Sequence, residues 1–248
     1  HIDFMRKAIQ NGKHILVEKS MTLNSRELDE AMSLAKEKGV VIGEAMTIYH
    51  MPIYKKLREI LDSGKLGNVN LITMNFGSFK DYDMSNRFFN RELAGGAMLD
   101  IGVYALSFIR FFMSEKPSNL LSQVKNAPTG IDEQAGLLLM NDAGQMASVM
   151  LSLHSKQPKR GMVSCENGYI EIMEYPRAWE ASVTYTDSGK TEVIRAGENA
   201  DALAYELHDM EMAINGDAEC MHLDYTREVM EMMTEFRNSW GLRYPEEE

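Results

Sequence analysis

The sequence predicts two architectures in succession: the closing part of a parallel α/β sheet, then an α+β region with a large, mostly antiparallel open sheet. Three observations predict this. An apolar run, Ile15-Leu16-Val17, is followed by a helix-patterned stretch and a second apolar run, Val40-Val41-Ile42. Strand, helix and strand in that order imply a right-handed parallel crossover. Beyond Pro117, short β-patterned runs follow one another through turn signals such as Asn141-Asp142-Ala143-Gly144 and Asn167-Gly168, the grammar of antiparallel pairing. Between the two regions, the paired glycines Gly95-Gly96 run into a helical pattern with Met98, Ile101, Ala105 and Phe108 on its core side.

Taken in order, Ile2, Met5 and Ile9 share one helical face, and Asn11-Gly12 stops that helix. Ile15 to Val17 reads as a strand buried on both faces, with Glu18-Lys19 at its carboxyl end. Asn24-Ser25-Arg26-Glu27 is a capping-box-like start for a helix with Leu28, Ala31, Met32 and Ala35 inward and Gly39 as its stop. Glu44 at the end of the next strand reads as a solvated strand end in preference to a ligand contact. Pro52 opens a helix with Ile53, Leu57, Ile60 and Leu61 inward. A long strand from Val69 to about Phe79 follows, then an irregular, polar and aromatic segment from Lys80 to Ala94. Strands are predicted over 120–124, 134–140, 145–153, 161–166, 169–174, 181–185 and 191–194. Two helices close the chain, one patterned on Leu203, Leu207, Met210 and Ile214, the other on Val229, Met230, Met233 and Phe236. This divides the chain at residues 1–46 and 47–248.

Composition excludes several classes. The chain has 248 residues, 44% hydrophobic and 25% charged, which suits a soluble globular protein. No uninterrupted apolar run reaches the roughly 18 residues of a membrane span, so a cytoplasmic protein is expected. The net charge of −11 repels phosphate backbones, which argues against nucleic acid as a partner. Cys165 and Cys220 lack metal-ligand or disulfide-framework spacing. His1, His14, His50, His154, His208 and His222 are scattered, so no metal site is expected. His154 is the one histidine placed at a strand end that would line a cleft. The 20 methionines fall mostly at apolar helix and strand positions, where core packing is the preferred reading. The chain opens at His1, within a helical pattern, and is expected to be the downstream part of something longer.

Candidate chemistry gathers at two places. Asp100 and Tyr104 stand four apart in a helical pattern and so share one face. Lys19 lies at the carboxyl end of a parallel strand, where open α/β sheets bind ligands. Alone, Lys19 reads as a solvated strand end, Asp100 as a salt-bridge member and Tyr104 as a half-buried core tyrosine; together they favour a site. Gly95 and Gly96 are placed near the ligand. Lys80, Arg87 and Arg91 in the irregular segment are either ligand contacts or ordinary loop charges.

A strand ending in Glu18-Lys19, a βαβ return, a Gly95-Gly96 loop entering Asp100-Ile101-Gly102-Val103-Tyr104, and an open sheet together resemble the Gfo/Idh/MocA family of NAD(P)-dependent oxidoreductases. Glu44-Ala45-Met46 and the tyrosine at position 104 look most like its dihydrodiol dehydrogenase branch. The resemblance implies a Rossmann-type parallel sheet, of which residues 1–46 form the last part, and a substrate-binding and dimerisation domain over residues 47–248. It implies NAD or NADP as cofactor, with Glu18, Lys19 and Arg87 on the cofactor side, and Lys19, Asp100 and Tyr104 as catalytic residues. The implied reaction is hydride transfer between the nicotinamide and a secondary alcohol or ketone of a sugar, cyclitol or dihydrodiol. A homodimer or higher homo-oligomer through the open sheet is implied as well. An ammonium beside Tyr104 is expected to favour its phenolate, which leaves Lys19 and Tyr104 both open as the immediate base.

Two departures stand out. Ser20 replaces the proline of the family's Glu-Lys-Pro motif, and no G-x-G-x-x-G follows a strand, so further residues are expected upstream of His1. The alternatives to an enzyme are a cofactor- or ligand-sensing protein on the same scaffold and a dimerisation module.

Overall fold

The computed structural model describes residues 1–247. Helix α1 (Ile2–Gln10) leads into β1 (Ile15–Glu18), which pairs in parallel with β2 (Ile42–Ala45) across helix α2 (Ser25–Lys38). The predicted start of α2 forms as the pattern requires: the Asn24 side chain accepts the Glu27 N–H at 3.0 Å, and Gly39 closes the helix with φ 64°. The second strand starts at Ile42, later than its apolar run suggests, so that Glu44 lies inside it, opposite Val17. Glu44 is not a solvated strand end. It is 1% exposed, accepting the Met21 N–H at 2.9 Å and the Thr226 hydroxyl at 3.1 Å. Its burial comes from a helix 182 positions downstream.

After helices α3 (Thr47–His50) and α4 (Pro52–Asp62), strand β3 (Val69–Gly77) enters an eight-stranded sheet. The other strands are β4 (Asn119–Asn126), β5 (Asp132–Met140), β6 (Met146–Ser152), β7 (Gln157–Cys165), β8 (Gly168–Met173), β9 (Glu180–Tyr185) and β10 (Thr191–Arg195). Their spatial order is β10-β9-β8-β7-β3-β6-β5-β4, antiparallel throughout except for the parallel β3–β6 pair. The mostly antiparallel open sheet is therefore as the turn signals predict. The strand alternation also splits the sheet into two faces. One is covered by helix α5 (Val103–Phe112), whose Phe108 lies directly against Gly161 of β7. The register puts Leu121, Leu138, Met150, Leu71, Tyr169 and Val193 together on the other face, where each is exposed.

The segment Arg91–Phe112, a 3-10 turn, the Gly95-Gly96 loop and the helix that follows, is, among the described residues, the one long and apolar enough to cross a bilayer; its most apolar window is 72% buried within the protein, as a core element would be. Helices α6 (Ala202–Ile214) and α7 (Leu223–Ser239) complete the chain. Helix α7 buries Val229, Met230, Met233 and Phe236 as its pattern predicts. Helix α6 departs from its pattern: of the four patterned residues only Met210 faces inward, beside Glu206 and Asp209, while Leu203, Leu207 and Ile214 are exposed. The turn is set by Asp209, which lies 2.8 Å from buried His50 Nδ1 and 3.1 Å from Lys55 Nζ. A buried carboxylate left without those partners would cost several kcal/mol, on the order of more than the exposed leucines lose.

Candidate active site

Lys19 leaves the end of β1 and reaches across to the Gly95-Gly96 helix. Its ammonium donates to the Asp100 carbonyl at 2.7 Å, lies 3.4 Å from Asp100 Oδ1, and stands 4.9 Å from the centroid of the Tyr104 ring. The Lys19–Ser20 peptide bond is cis, and the Ser20 hydroxyl donates to the Leu99 carbonyl at 2.9 Å. Two consecutive residues of the β1 arm thus bond two consecutive residues of the helix arm. Arg87 adds a second cation 3.5 Å from Asp100 Oδ1, with its side chain 65% exposed against 17% for Lys19. The first turn of the helix, Met98–Gly102, is π-wound, a widening often met at functional sites.

Tyr104 packs beside Phe76, with ring centroids 6.2 Å apart. Burial pushes its hydroxyl up to about 12, with Asp100, Glu18 and Glu206 reinforcing and Arg177 opposing the shift. This corrects the expectation of a favoured phenolate: the Lys19 ammonium meets the ring face, and desolvation outweighs the nearby positive charge. At neutral pH the phenol keeps its proton. Glu206, on α6, is itself pushed up to about 7 by burial, then by the Glu18 charge.

A cleft of about 510 Å³ opens beside this cluster, lined by Lys19, Ser20, Arg87, Phe88, Gly95 and Asp100 among others. The remaining candidates lie elsewhere. Glu18 is exposed and acts on Tyr104 and Glu206 only through its charge. Lys80 sits over the Phe88 ring at 4.1 Å, and Arg91 donates to the Arg243 carbonyl at 2.8 Å. His154 does not line this cleft; it packs between Phe79 and Tyr82, 5.3 and 4.3 Å between centroids. No group of three or more His, Cys, Asp or Glu side chains is placed to hold a metal among the described residues. Sequence reasoning missed Arg177, Glu206 and the buried Asp132, which bonds the Met98 N–H. None carries a motif, since each is brought in by a separate element of the sheet or helix layer.

Three carboxyls, Glu44, Asp132 and Glu206, are pushed up to about 7, chiefly by burial. With folded pKa values above the unfolded ones, the folded chain binds more protons than the unfolded one between about pH 4 and 7. The stability they contribute is full below that interval and lost as pH rises through 7. His222, lowered by burial, works in the opposite sense as pH falls below its ordinary value. Three groups outweigh one, so the calorimetric Tm is expected to be higher at about pH 6 than at about pH 8. A higher Tm at the alkaline end would contradict this balance.

The fold is shared with solved structures. An NAD binding oxidoreductase from Klebsiella pneumoniae superposes with a TM-score of 0.85 at 19% identity, over 97% of this chain and 75% of that one. A 3-ketoreductase variant from Actinomadura kijaniata, solved with TDP-benzene and NADP, gives 0.84 at 17% identity, over 96% and 74%. The likeness is one of fold: a parallel α/β part followed by a large open sheet.

Residues 1–46 match the model of the oxidoreductase family with an NAD-binding Rossmann fold, and residues 54–171 match the GFO/IDH/MocA C-terminal domain. The chain belongs to the GFO/IDH/MocA family. Among its relatives, trans-1,2-dihydrobenzene-1,2-diol dehydrogenase of Xenopus laevis is 26% identical over 99% of this chain and 76% of its own length. The scyllo-inositol 2-dehydrogenase (NADP(+)) of Bacillus subtilis (strain 168) is 28% identical over 96% and 74%. The chain thus spans about three quarters of these relatives.

Proposed function

We propose that the protein transfers hydride between NAD or NADP and a secondary alcohol or ketone of a sugar, cyclitol or dihydrodiol, with Lys19, Asp100 and Tyr104 as its acid–base residues. The carrying observation is the Lys19 ammonium, bonded to Asp100 at 2.7 Å and set over the Tyr104 ring beside an open cleft. Relatives named as dihydrodiol and inositol dehydrogenases support the substrate class.

The residues present fit part of such a cofactor, which is anionic and carries aromatic rings. The cleft offers two cations, Lys19 and Arg87, an aromatic wall in Phe88, and glycine backbone. The bound dinucleotide accepts or supplies the hydride. The protein's own part is to handle the proton. In the direction of reduction, the Tyr104 phenol, protonated at neutral pH, donates to the forming alkoxide while Lys19 stabilises the negative charge. In the direction of oxidation the same path runs in reverse: the Tyr104 oxygen takes the hydroxyl proton while the Lys19 ammonium stabilises the developing alkoxide, and burial of the phenol makes its ionised form scarce at neutral pH.

Tyr104→Phe is therefore expected to lower ketone reduction by about a hundredfold while the dissociation constant for NAD(P)H stays within a few-fold. Wild-type reduction in this variant would remove the phenol from the mechanism. The sensing alternative is told apart by stopped-flow absorbance: cofactor binding with no hydride transfer across a broad panel of polyols and ketones would favour it.

Residues 1–46 are read as part of the cofactor half and residues 47–248 as the substrate and dimer half. The apolar sheet face of Leu121, Leu138 and Met150 suits a second copy, and a monomer at micromolar concentration in light scattering would exclude that pairing. Two free thiols, Cys165 and Cys220, suit a reducing cytoplasm.

A further inference from the structure

The Gly95-Gly96 loop is gripped from two directions by residues outside the site. From β5, the buried Asp132 carboxylate accepts the Met98 N–H at 2.5 Å through Oδ2, at the start of the helix that carries Asp100 and Tyr104. Its Oδ1 accepts no hydrogen bond among the described residues and abuts Gly96, where a Cβ would run into it. From the C-terminal segment, the buried Tyr244 hydroxyl donates to the Gly95 carbonyl at 2.6 Å. The loop passes that grip on. Gly95 N–H bonds the Asn90 carbonyl at 2.9 Å and Gly96 N–H the Phe88 carbonyl at 3.0 Å, which ties in the segment bearing Arg87. The Gly96 carbonyl in turn accepts the Asp100 N–H at 3.2 Å.

We propose that Asp132 and Tyr244 are positioning residues that hold the Gly95-Gly96 loop, and through it Asp100 and Arg87, at the spacing from Lys19 that the reaction needs. This rests on the reading of Lys19 and Asp100 given above. The charged and titratable groups facing Asp132 are Arg237 of α7, which stacks over the Tyr244 ring at 4.9 Å, and Tyr244 itself. Arg237 is shared with Glu247 at 2.8 Å, so it offsets the burial of Asp132 only in part. Burial pushes the Asp132 carboxyl up to about 7, so acidification through neutrality removes the charge that holds the helix start.

The test uses Asp132→Asn, which keeps an acceptor of the same shape, and Tyr244→Phe, in the native protein, with folding checked by circular dichroism. Asp132→Asn is expected to lower kcat at least tenfold with the KM for cofactor within about threefold, and to flatten the fall in kcat seen in the wild type below neutral pH. Glu44 and Glu206 also titrate there, so it is the loss of the limb in this variant that assigns it. Tyr244→Phe is expected to lower kcat by a smaller factor, and the double variant by less than the product of the two.

A readout that needs no turnover is the rate at which an amine-reactive acylating reagent modifies Lys19, followed by mass spectrometry. It is expected to rise at least threefold in both variants as the Asp100 contact loosens. Folded variants with wild-type kcat, pH profile and Lys19 labelling would overturn the proposal. If the wild type transfers no hydride, the functional reading fails while the labelling still decides this one; if Asp132→Asn does not fold, Tyr244→Phe decides it.

Discussion

Lys19→Met in the native protein is expected to lower kcat by up to about a thousandfold in both directions, the loss expected when a charge-stabilising donor is removed from the transition state. Methionine keeps much of the length and apolar stem but removes the nitrogen that donates to the Asp100 carbonyl at 2.7 Å and lies 3.4 Å from Oδ1. Arg87, at 3.5 Å, remains as a cation near Asp100 and limits the damage to its position. The Lys19 side chain is partly exposed at a strand end and contributes little to the core, so thermal stability should change by only a few degrees. Cofactor affinity, followed by fluorescence titration, should stay within a few-fold. Lys19→Arg separates charge from proton transfer. Guanidinium keeps the positive charge but does not deprotonate in proteins, so Lys19→Arg, which retains the charge that stabilises the alkoxide, should recover part of the rate lost in Lys19→Met. A rate within tenfold of wild type in both variants would take Lys19 out of the chemistry.

What could be read from the sequence was local. The Asn24 cap of α2 and the strand alternation of the large sheet are set by neighbours within a few positions and form as their patterns require; the hairpin that Asn167-Gly168 signals forms one residue early, with Glu166-Asn167 as its turn and Gly168 already in β8 opposite Cys165. The same holds for the candidate site: a lysine after an apolar strand and an Asp-Tyr pair at helical spacing are short-range signals, and the fold brings the three together. Long-range contacts account for what was misread. Glu44 looked like a strand end because its partner, Thr226, arrives from α7. The leucines of α6 looked inward because nothing nearby announces that Asp209 will be claimed by His50 and Lys55, more than 150 positions away. Tyr104 looked activated because its cation was legible and its burial was not. The grip of Asp132 and Tyr244 on the Gly95-Gly96 loop was invisible for the same reason: an aspartate opening a strand and a tyrosine near a Glu-rich tail carry no motif.

Gly96→Ala is expected to be among the most damaging single-methyl changes in the chain. Gly96 has φ +125°, a region closed to most L residues, and the added Cβ would run into Asp132 Oδ1, with Tyr244 Oη at 3.3 Å behind it. The backbone strain amounts to about 1–3 kcal/mol, and the overlap adds roughly as much again. Relief is blocked on both sides, because Gly96 N–H is bonded to Phe88 and its carbonyl to the Asp100 N–H. For a domain of this size, each kcal/mol is worth about 2–4 °C, so Tm should fall by roughly ten degrees. Whatever folds should turn over at less than about a hundredth of the wild-type rate, since any movement that accommodates the methyl carries Asp100 away from Lys19. Gly216→Ala is the matched control: Gly216 has φ +119° with open space around it, so it should carry the same backbone strain of about 1–3 kcal/mol without the overlap and leave kcat unchanged. Equal Tm losses in the two variants would show that backbone conformation alone fixes the glycine at 96. A Gly96→Ala protein with wild-type Tm and kcat would remove the grip on the loop altogether. The size of the difference between the two variants measures how firmly Asp132 is seated against the loop, and hence how rigidly the site's acidic arm is held.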